Sequence, residues 1–510
     1  MSSQIHDCSA RVPPETLTAK ICIVGSGCGG ATAAWRLAEA GHDVVVLEEG
    51  GDFAGRQLTQ RESAMYDRLY MDRGARTTED MAIAILQGRV LGGGGVINAC
   101  DVVPPPDGVF EHWRSKFGLS DFEPARMKPY VERALQDLSA NAILEHQVNR
   151  ANLALQRGAQ ALGYRGAPMM HNRVGCAGLG TCLIGCPIDA KRNPRFVAIP
   201  RALEYGARFL TRARAVKIEN ATSVTKRVIV QTLDPNGYHE AAGFEVRADY
   251  VILAANAIAS CQLLLRSGIG NPLVGRHVSL QPQLPLTAFF EEPLDAFYGI
   301  PQSYAVTEFE DEANVEHGLW GFRIEGIMGT PGIVSGTGMH TGARAKEVMA
   351  RYRNMAAALL LAPDDADGTV HVSRAGRPLI RYTHKENHKA RLRQAIREAA
   401  RIYLAAGAKS VEASALPSIS IASESQLTEV DAIDFAPATA ALLSAHQQGG
   451  VRFGTSPKLG ASNPDGNVYE TNHVYVFDSS GFPSSASSHT MTPIITVSHC
   501  LSERLLARIA

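Results

Sequence analysis

Short apolar runs bounded by glycine punctuate the chain, and between them lie stretches whose apolar residues recur every three or four positions. Lys20-Ile-Cys-Ile-Val-Gly25 is rich in β-branched residues and predicts a buried parallel strand. Ala31 to Ala40 reads as a helix closed by Gly41, and Asp43 to Leu47 as a second apolar strand. Val474 to Phe477 is another apolar strand, ending in the acid Asp478. Asn387 to Ala406 places apolar residues at helical spacing with Arg and Lys outside, so it predicts a surface helix, capped by Gly407. The run from Leu284 to Tyr382 is β-rich and predicts a sheet. Strands alternating with helices indicate an α/β protein.

The 510 residues are enough for a large core and more than one domain. Fifty basic and 51 acidic residues nearly cancel, which argues against nucleic acid or an acidic surface as partner. No apolar run approaches the roughly 20 residues that span a bilayer, so no transmembrane segment is expected. The polar stretch Met1 to Pro14 reads neither as a signal peptide nor as a lipidation site, and nine scattered cysteines suit a reducing compartment. The expected location is cytoplasmic.

Gly25, Gly27 and Gly30 form G-x-G-x-x-G between the first strand and the first helix. The first glycine permits a tight turn, the second lets backbone approach a pyrophosphate, and the third lets helix pack on strand. The helix N-terminus then faces the phosphates. Glu48, at the end of the second strand, stands where an acid accepts ribose hydroxyls; Glu49 falls one residue past and points away. This fingerprint predicts a dinucleotide but does not separate FAD from NAD. Cys28, inside the loop, reads as a small filler.

A second glycine concentration, Gly88-Arg89-Val-Leu-Gly92-Gly93-Gly94-Gly95-Val-Ile-Asn98, exposes backbone N–H groups beside apolar flanks, which suits a buried path along a cofactor. Here the chain resembles the GMC (glucose–methanol–choline) oxidoreductases, whose members carry G-R-x-x-G-G-S-S-x-x-N along the flavin. Gly94 and Gly95 replace the serines, while Arg89 and Asn98 keep their places. Members with covalent FAD have a histidine just before the asparagine; Ile97 stands there, so the resemblance implies non-covalent FAD. Tyr250 to Ala257 with Leu263 to Gly268 is similar to the family's strand-then-helix segment, with Asn256 in place of the usual glycine. Val216 matches the strand passing the adenine, and Asp478 the acid beside the pyrophosphate and ribityl chain. The flavin motifs fall in 18–125, 190–285 and 440–510, implying a discontinuous Rossmann-like FAD-binding domain. Residues 126–189 and 286–439 would build an α+β substrate domain whose sheet roofs the flavin.

Alcohol oxidation needs a base for the hydroxyl proton and a group holding the developing alkoxide while hydride leaves for flavin N5. Histidine suits both roles near neutral pH. His446 lies in a segment similar to the family's H-x-x-G-T-x-x-x-G loop. His489, in Ser-Ser-His-Thr-Met-Thr-Pro, resembles the histidine-bearing branch of the second catalytic position. Aligning on Pro493 alone would put Thr492 there instead. His499 reads as packing in the last helix and His473 as a turn residue.

Cys176, Cys182 and Cys186 have C-x5-C-x3-C spacing, which fits neither zinc nor a ferredoxin cluster, so no metal is expected. They read as buried thiols in a loop near the cofactor. The segment through Lys191 is similar to C-x-x-G-C-x-x-G-A-K of bacterial GMC enzymes, notably the long-chain-alcohol branch, although Asp189 replaces its last glycine. Asp364, Asp365 and Asp367 read as a solvated turn. The resemblance implies FAD-dependent oxidation of a small-molecule alcohol of apolar type, with oxygen or another electron acceptor. A non-redox lyase of the hydroxynitrile-lyase kind on the same scaffold is the alternative.

Overall fold

A computed structural model describes residues 5–311, 321–487 and 489–509; Ser488 of the Ser-Ser-His motif lies outside them. Strand Thr16–Val24 is fully buried from Ile21 to Val24, because it lies centrally in an eight-stranded sheet. Its parallel neighbours are Val44–Leu47 on one side and the long strand Glu240–Leu253 on the other. The short strand Val474–Val476 pairs in parallel with the end of the latter. Register places Val24 beside Leu47 and Leu253, and Leu253 beside Val476. The residues that follow, Gly25, Glu48, Ala254 and Asp478, therefore gather at one carboxyl edge, where open α/β sheets bind ligands. Helix Cys28–Glu39 packs between the terminal helix Met491–Ile509 and helix Ala198–Glu204.

A second, seven-stranded antiparallel sheet runs in the order Ile419–Ile421, Ser410–Ala413, Leu284–Phe289, Met355–Leu361, Arg323–Ile327, Tyr304–Val306 and Gly166–Pro168. Helix Glu386–Ala405 packs against it, burying a stripe that includes Leu392, Ile396, Ala399 and Tyr403. Gly407 follows with φ +94°, in the left-handed region that ends such helices.

Two expectations need correction. The run Leu284 to Tyr382 is not one sheet. Helices Pro331–Thr337 and Gly342–Ala350 interrupt it, and strands Gly368–Val372 and Pro378–Arg381 join a separate four-stranded sheet with Arg276–Ser279 and Gln448–Gly450. Strand propensity does not choose the partner; close backbone approach at glycine does. A Cβ on Gly368 would lie 2.7 Å from the Val278 carbonyl oxygen. Asp364 is not solvated either. It is buried and accepts from Leu280 N at 3.0 Å and Tyr382 Oη at 2.7 Å, and burial raises its pKa. Asp365 and Asp367 do reach outward, to Lys385.

Candidate active site

The carboxyl edge of the large sheet opens into a cavity of about 1020 Å³, bounded above by the seven-stranded sheet. Gly25 has φ +100°, and a Cβ there would lie 2.3 Å from the Ala254 carbonyl oxygen. A Cβ on Gly30 would lie 2.0 Å from the Gly25 oxygen, so helix and strand touch as the fingerprint requires. Gly27 and Gly93 face each other across the cavity wall with no side chain between, and Gly92 N donates to Ser26 Oγ at 3.1 Å. Helix Cys28–Glu39 begins with Gly27 as its cap, has no side-chain cap bond, and carries no acid in its first turn. Its N–H groups are left for an anion. These features fit the pyrophosphate of a dinucleotide.

Glu48 is buried and accepts from Ser26 N at 3.1 Å, Ser26 Oγ at 2.6 Å and Gly50 N at 2.7 Å. Burial raises its pKa, opposed by these bonds. Glu49 also reaches the cavity wall, but its carboxylate pairs with Arg214 at 2.9 Å. Arg89 is buried, with its guanidinium 4.7 Å from the Tyr238 ring centroid. Asn98 lines the cavity and Ile97 stands beside it. Asp478 also lines it, bound by Ser260 Oγ at 2.7 Å. Val216 is not part of this wall: the strand pairing shifts register between Lys217 and Ala215, and Ala215 reaches the cavity instead. Asn256 has φ +76°, the conformation that makes glycine usual there. Its Oδ1 accepts from Ile258 N at 2.9 Å and Gln87 Nε2 at 2.7 Å, so asparagine caps the following helix.

His446 and His489 both line the cavity, their rings edge to face with centroids 4.8 Å apart. Nδ1 of His446 lies 2.7 Å from Gln281 Oε1 and 2.8 Å from Gln283 Nε2. Burial, and then the neighbouring His489, lowers its pKa to about 3, so the ring is neutral. His489 is the opposite case. Burial opposes its charge, but the Glu325 carboxylate, 2.9 Å from Nε2, outweighs burial and raises its pKa. Despite its own burial, Glu325 is held at about 2 by His489 and Arg323. Thr492 lies fully buried inside the terminal helix, outside the cavity wall. His499 packs edge-on against Trp35 and binds Asp137 at 2.8 Å, and His473 turns the chain with φ +61°.

Residues 66–283 match the N-terminal family model of GMC oxidoreductases, and residues 364–498 match the C-terminal one. The chain belongs to the GMC oxidoreductase family. Residues 23–84 also match a NAD(P)-binding Rossmann-like domain. A GMC-type oxidoreductase of Mycobacterium tuberculosis is 30% identical over 97% of this chain and 77% of its own. A long-chain-alcohol oxidase of Arabidopsis thaliana is 27% identical over 95% and 67%. Among solved structures, pyridoxine 4-oxidase from Mesorbium loti superposes with TM-score 0.71 at 16% identity, covering 96% of this chain and 99% of that one. A formate oxidase of Aspergillus oryzae superposes equally well at 14% identity, covering 98% and 99%. GMC oxidoreductases use FAD, and this member is a flavin-dependent oxidoreductase acting on CH–OH groups.

Motif reading misses several groups around the GMC histidines. Gln281, Gln283 and Glu325 are all fully buried. Gln281 and Gln283 fall in the link between strands Arg276–Ser279 and Leu284–Phe289, flanked by Leu280 and Leu284, while Glu325 interrupts strand Arg323–Ile327; these polar residues among apolar ones are the available signal. Asp101 lies 4.0 Å from His489, and its other carboxylate oxygen comes within 2.7 Å of His171 Nε2. Asp101, Glu325 and His489 offer ligand atoms within 4.8 Å of one another, two of them held in the Glu325–His489 pair. The three loop cysteines are not all buried: Cys176 is exposed, and Cys182 and Cys186 are part-exposed.

Proposed function

We propose that this enzyme oxidises an elongated apolar alcohol, with His446 as base and His489 holding the developing alkoxide. The observation that carries the reading is the edge-to-face contact of two buried cavity histidines, one beside two glutamines and the other beside the Glu325 carboxylate, which raises its pKa. Environments that push two titratable groups apart assign the base and the charged partner. Neutral His446 accepts the hydroxyl proton while its Nδ1, engaged by Gln281 and Gln283, keeps the ring aimed. Imidazolium His489 stabilises the negative charge left on oxygen, and Glu325 keeps it protonated. FAD, when bound, supplies the hydride acceptor.

Substrate shape follows from the sheet above. Residues paired across strands share a face. Pro285 and Leu359 stand in register with Glu325, the next row is Thr287, Ala357 and Ile327, and the next is Phe289 and Met355. Two residues advance a strand by about 6.8 Å, so this wall runs about 14 Å from the level of Glu325. Ile333, Val334 and Val348, from the two interrupting helices, line the same cavity.

The same reading takes FAD as non-covalent, since Ile97 beside Asn98 offers no nucleophile, and acid precipitation should release it. All nine cysteines are free, which supports a reducing compartment such as the cytoplasm. Among the described residues no helix is long and apolar enough to cross a membrane. The test is anaerobic mixing with alcohols of graded chain length, alongside sugars and choline, while following flavin bleaching. Bleaching that strengthens with apolar length supports the proposal. No bleaching by any alcohol, or cyanohydrin cleavage without bleaching, would sink it.

A further inference from the structure

Beyond Glu325, the seven-stranded sheet presents to the cavity an acid that the proton chemistry leaves unused. Gln283, Pro285, Thr287 and Phe289, every second residue of one extended segment, line the cavity. Gln283 holds His446. Four residues advance an extended chain by about 14 Å, so Thr287 lies that far along the wall from Gln283. On the adjacent strand Ser410–Ala413, Glu412 stands in register with Thr287 and lines the same cavity. Glu412 is 3% exposed. Its Oε1 pairs with Arg344, on helix Gly342–Ala350. Among the described residues its Oε2 accepts no hydrogen bond. His340 Nε2, also at the cavity wall, stands 3.3 Å from that oxygen but out of line for one. A buried carboxylate oxygen without a donor has given up its bonds to water for nothing, unless a ligand supplies the donor.

We propose that Glu412 Oε2 receives a second hydroxyl of the substrate, at the far end of the apolar chain whose near hydroxyl meets His446. The inference rests on the alcohol reading and narrows its substrate class to an apolar alcohol with a distal hydrogen-bond donor. Charge selects the kind of donor. Arg344 already opposes the Glu412 carboxylate, so a neutral hydroxyl completes the set without adding charge. An ammonium in the same place would bring unmatched positive charge against an apolar wall.

Glu412 also ties down the helices that interrupt the sheet region, since both Arg344 and His340 belong to that stretch. That structural task uses Oε1 and would affect every alcohol alike. Recognition uses Oε2 and shows only with substrates that carry the second donor. The two are therefore separable by the ratio between substrates rather than by the rate with any one of them.

Anaerobic stopped-flow reduction of the holoenzyme tests this with n-alkanols, α,ω-diols and ω-methoxy alcohols of matched, graded length. At the best-fitting length the diol should reach half-maximal reduction at a concentration about 10- to 100-fold below its alkanol, the usual worth of a hydrogen bond to a charged group. The ω-methoxy alcohol accepts but does not donate, so it should gain nothing. The ω-amino alcohol should fall short of the diol. In Glu412→Gln, Arg344 retains the one remaining oxygen and the amide nitrogen turns to the cavity, so the diol preference should disappear. Arg344→Gln loosens the helix but leaves Oε2 in place, and the preference should persist. A diol no better than its alkanol in the unaltered enzyme, or a preference that survives Glu412→Gln, would overturn the proposal and leave the alcohol reading standing. An ω-amino alcohol that outdoes the diol would overturn the hydroxyl assignment. Bleaching by no alcohol at all would remove both readings.

Discussion

The rings of His446 and His489 meet at 77° with centroids 4.8 Å apart, yet one is held neutral and the other charged. Two glutamines surround the first and a glutamate faces the second. The contact is also self-reinforcing, since charge on His489 further lowers the pKa of His446.

Loss of a general base typically slows a reaction by about 100- to 10,000-fold. His446→Ala should lower the rate of anaerobic flavin reduction by that much while FAD content and folding persist. His489→Ala should also slow it, and His489→Asn should recover part of the loss because an amide still donates a hydrogen bond. A wild-type rate in His489→Ala, with failure in Thr492→Ala, would show that the second position had been misplaced.

The pH profile should report Glu325. His446 is held at about 3, so reduction should continue well below pH 6.5 without the acid limb of an ordinary histidine. Glu325 raises the pKa of His489, so activity should be present at neutral pH and fall as pH climbs through that raised value. Glu325→Gln removes the counter-charge and lowers the His489 pKa. Its alkaline limb should therefore move to lower pH in stopped-flow profiles; an unmoved limb would assign that titration to another group.

Glu48 and Glu49 should separate in cofactor retention. Glu48→Gln should weaken FAD binding in apoenzyme reconstitution, because its carboxylate organises Ser26 and Gly50 at the sheet edge. Glu49→Gln loses only a part-exposed pair with Arg214 and should bind FAD nearly as wild type does. Equal losses would mean that the ribose contact is shared.

Asn256 should be replaceable by glycine more cheaply than by alanine. At φ +76° a Cβ costs about 1–2 kcal/mol unless local hydrogen bonds offset it. Asn256→Ala keeps the strain and loses the cap to Ile258 and Ala259, whereas Asn256→Gly relieves the strain. Urea unfolding of both variants would show the order, and alanine as the milder change would contradict it.

Sequence alone determined what depends on neighbours in the chain. The turn at Gly25, the uncapped helix start at Gly27 and the acid at the strand end are set within a few tens of residues, so spacing carries them. The helix ending before Gly407 is legible for the same reason. Tertiary structure decided what depends on strand partners. Gln283 reaches His446 across 163 positions, and Glu325 reaches His489 across 164. Strands Gly368–Val372 and Pro378–Arg381 left the sheet that their apolar pattern implied, and Asp364 went inside. Periodicity says which face of an element is buried, but not against what; close packing of distant segments makes that choice, and with it the charge on each histidine.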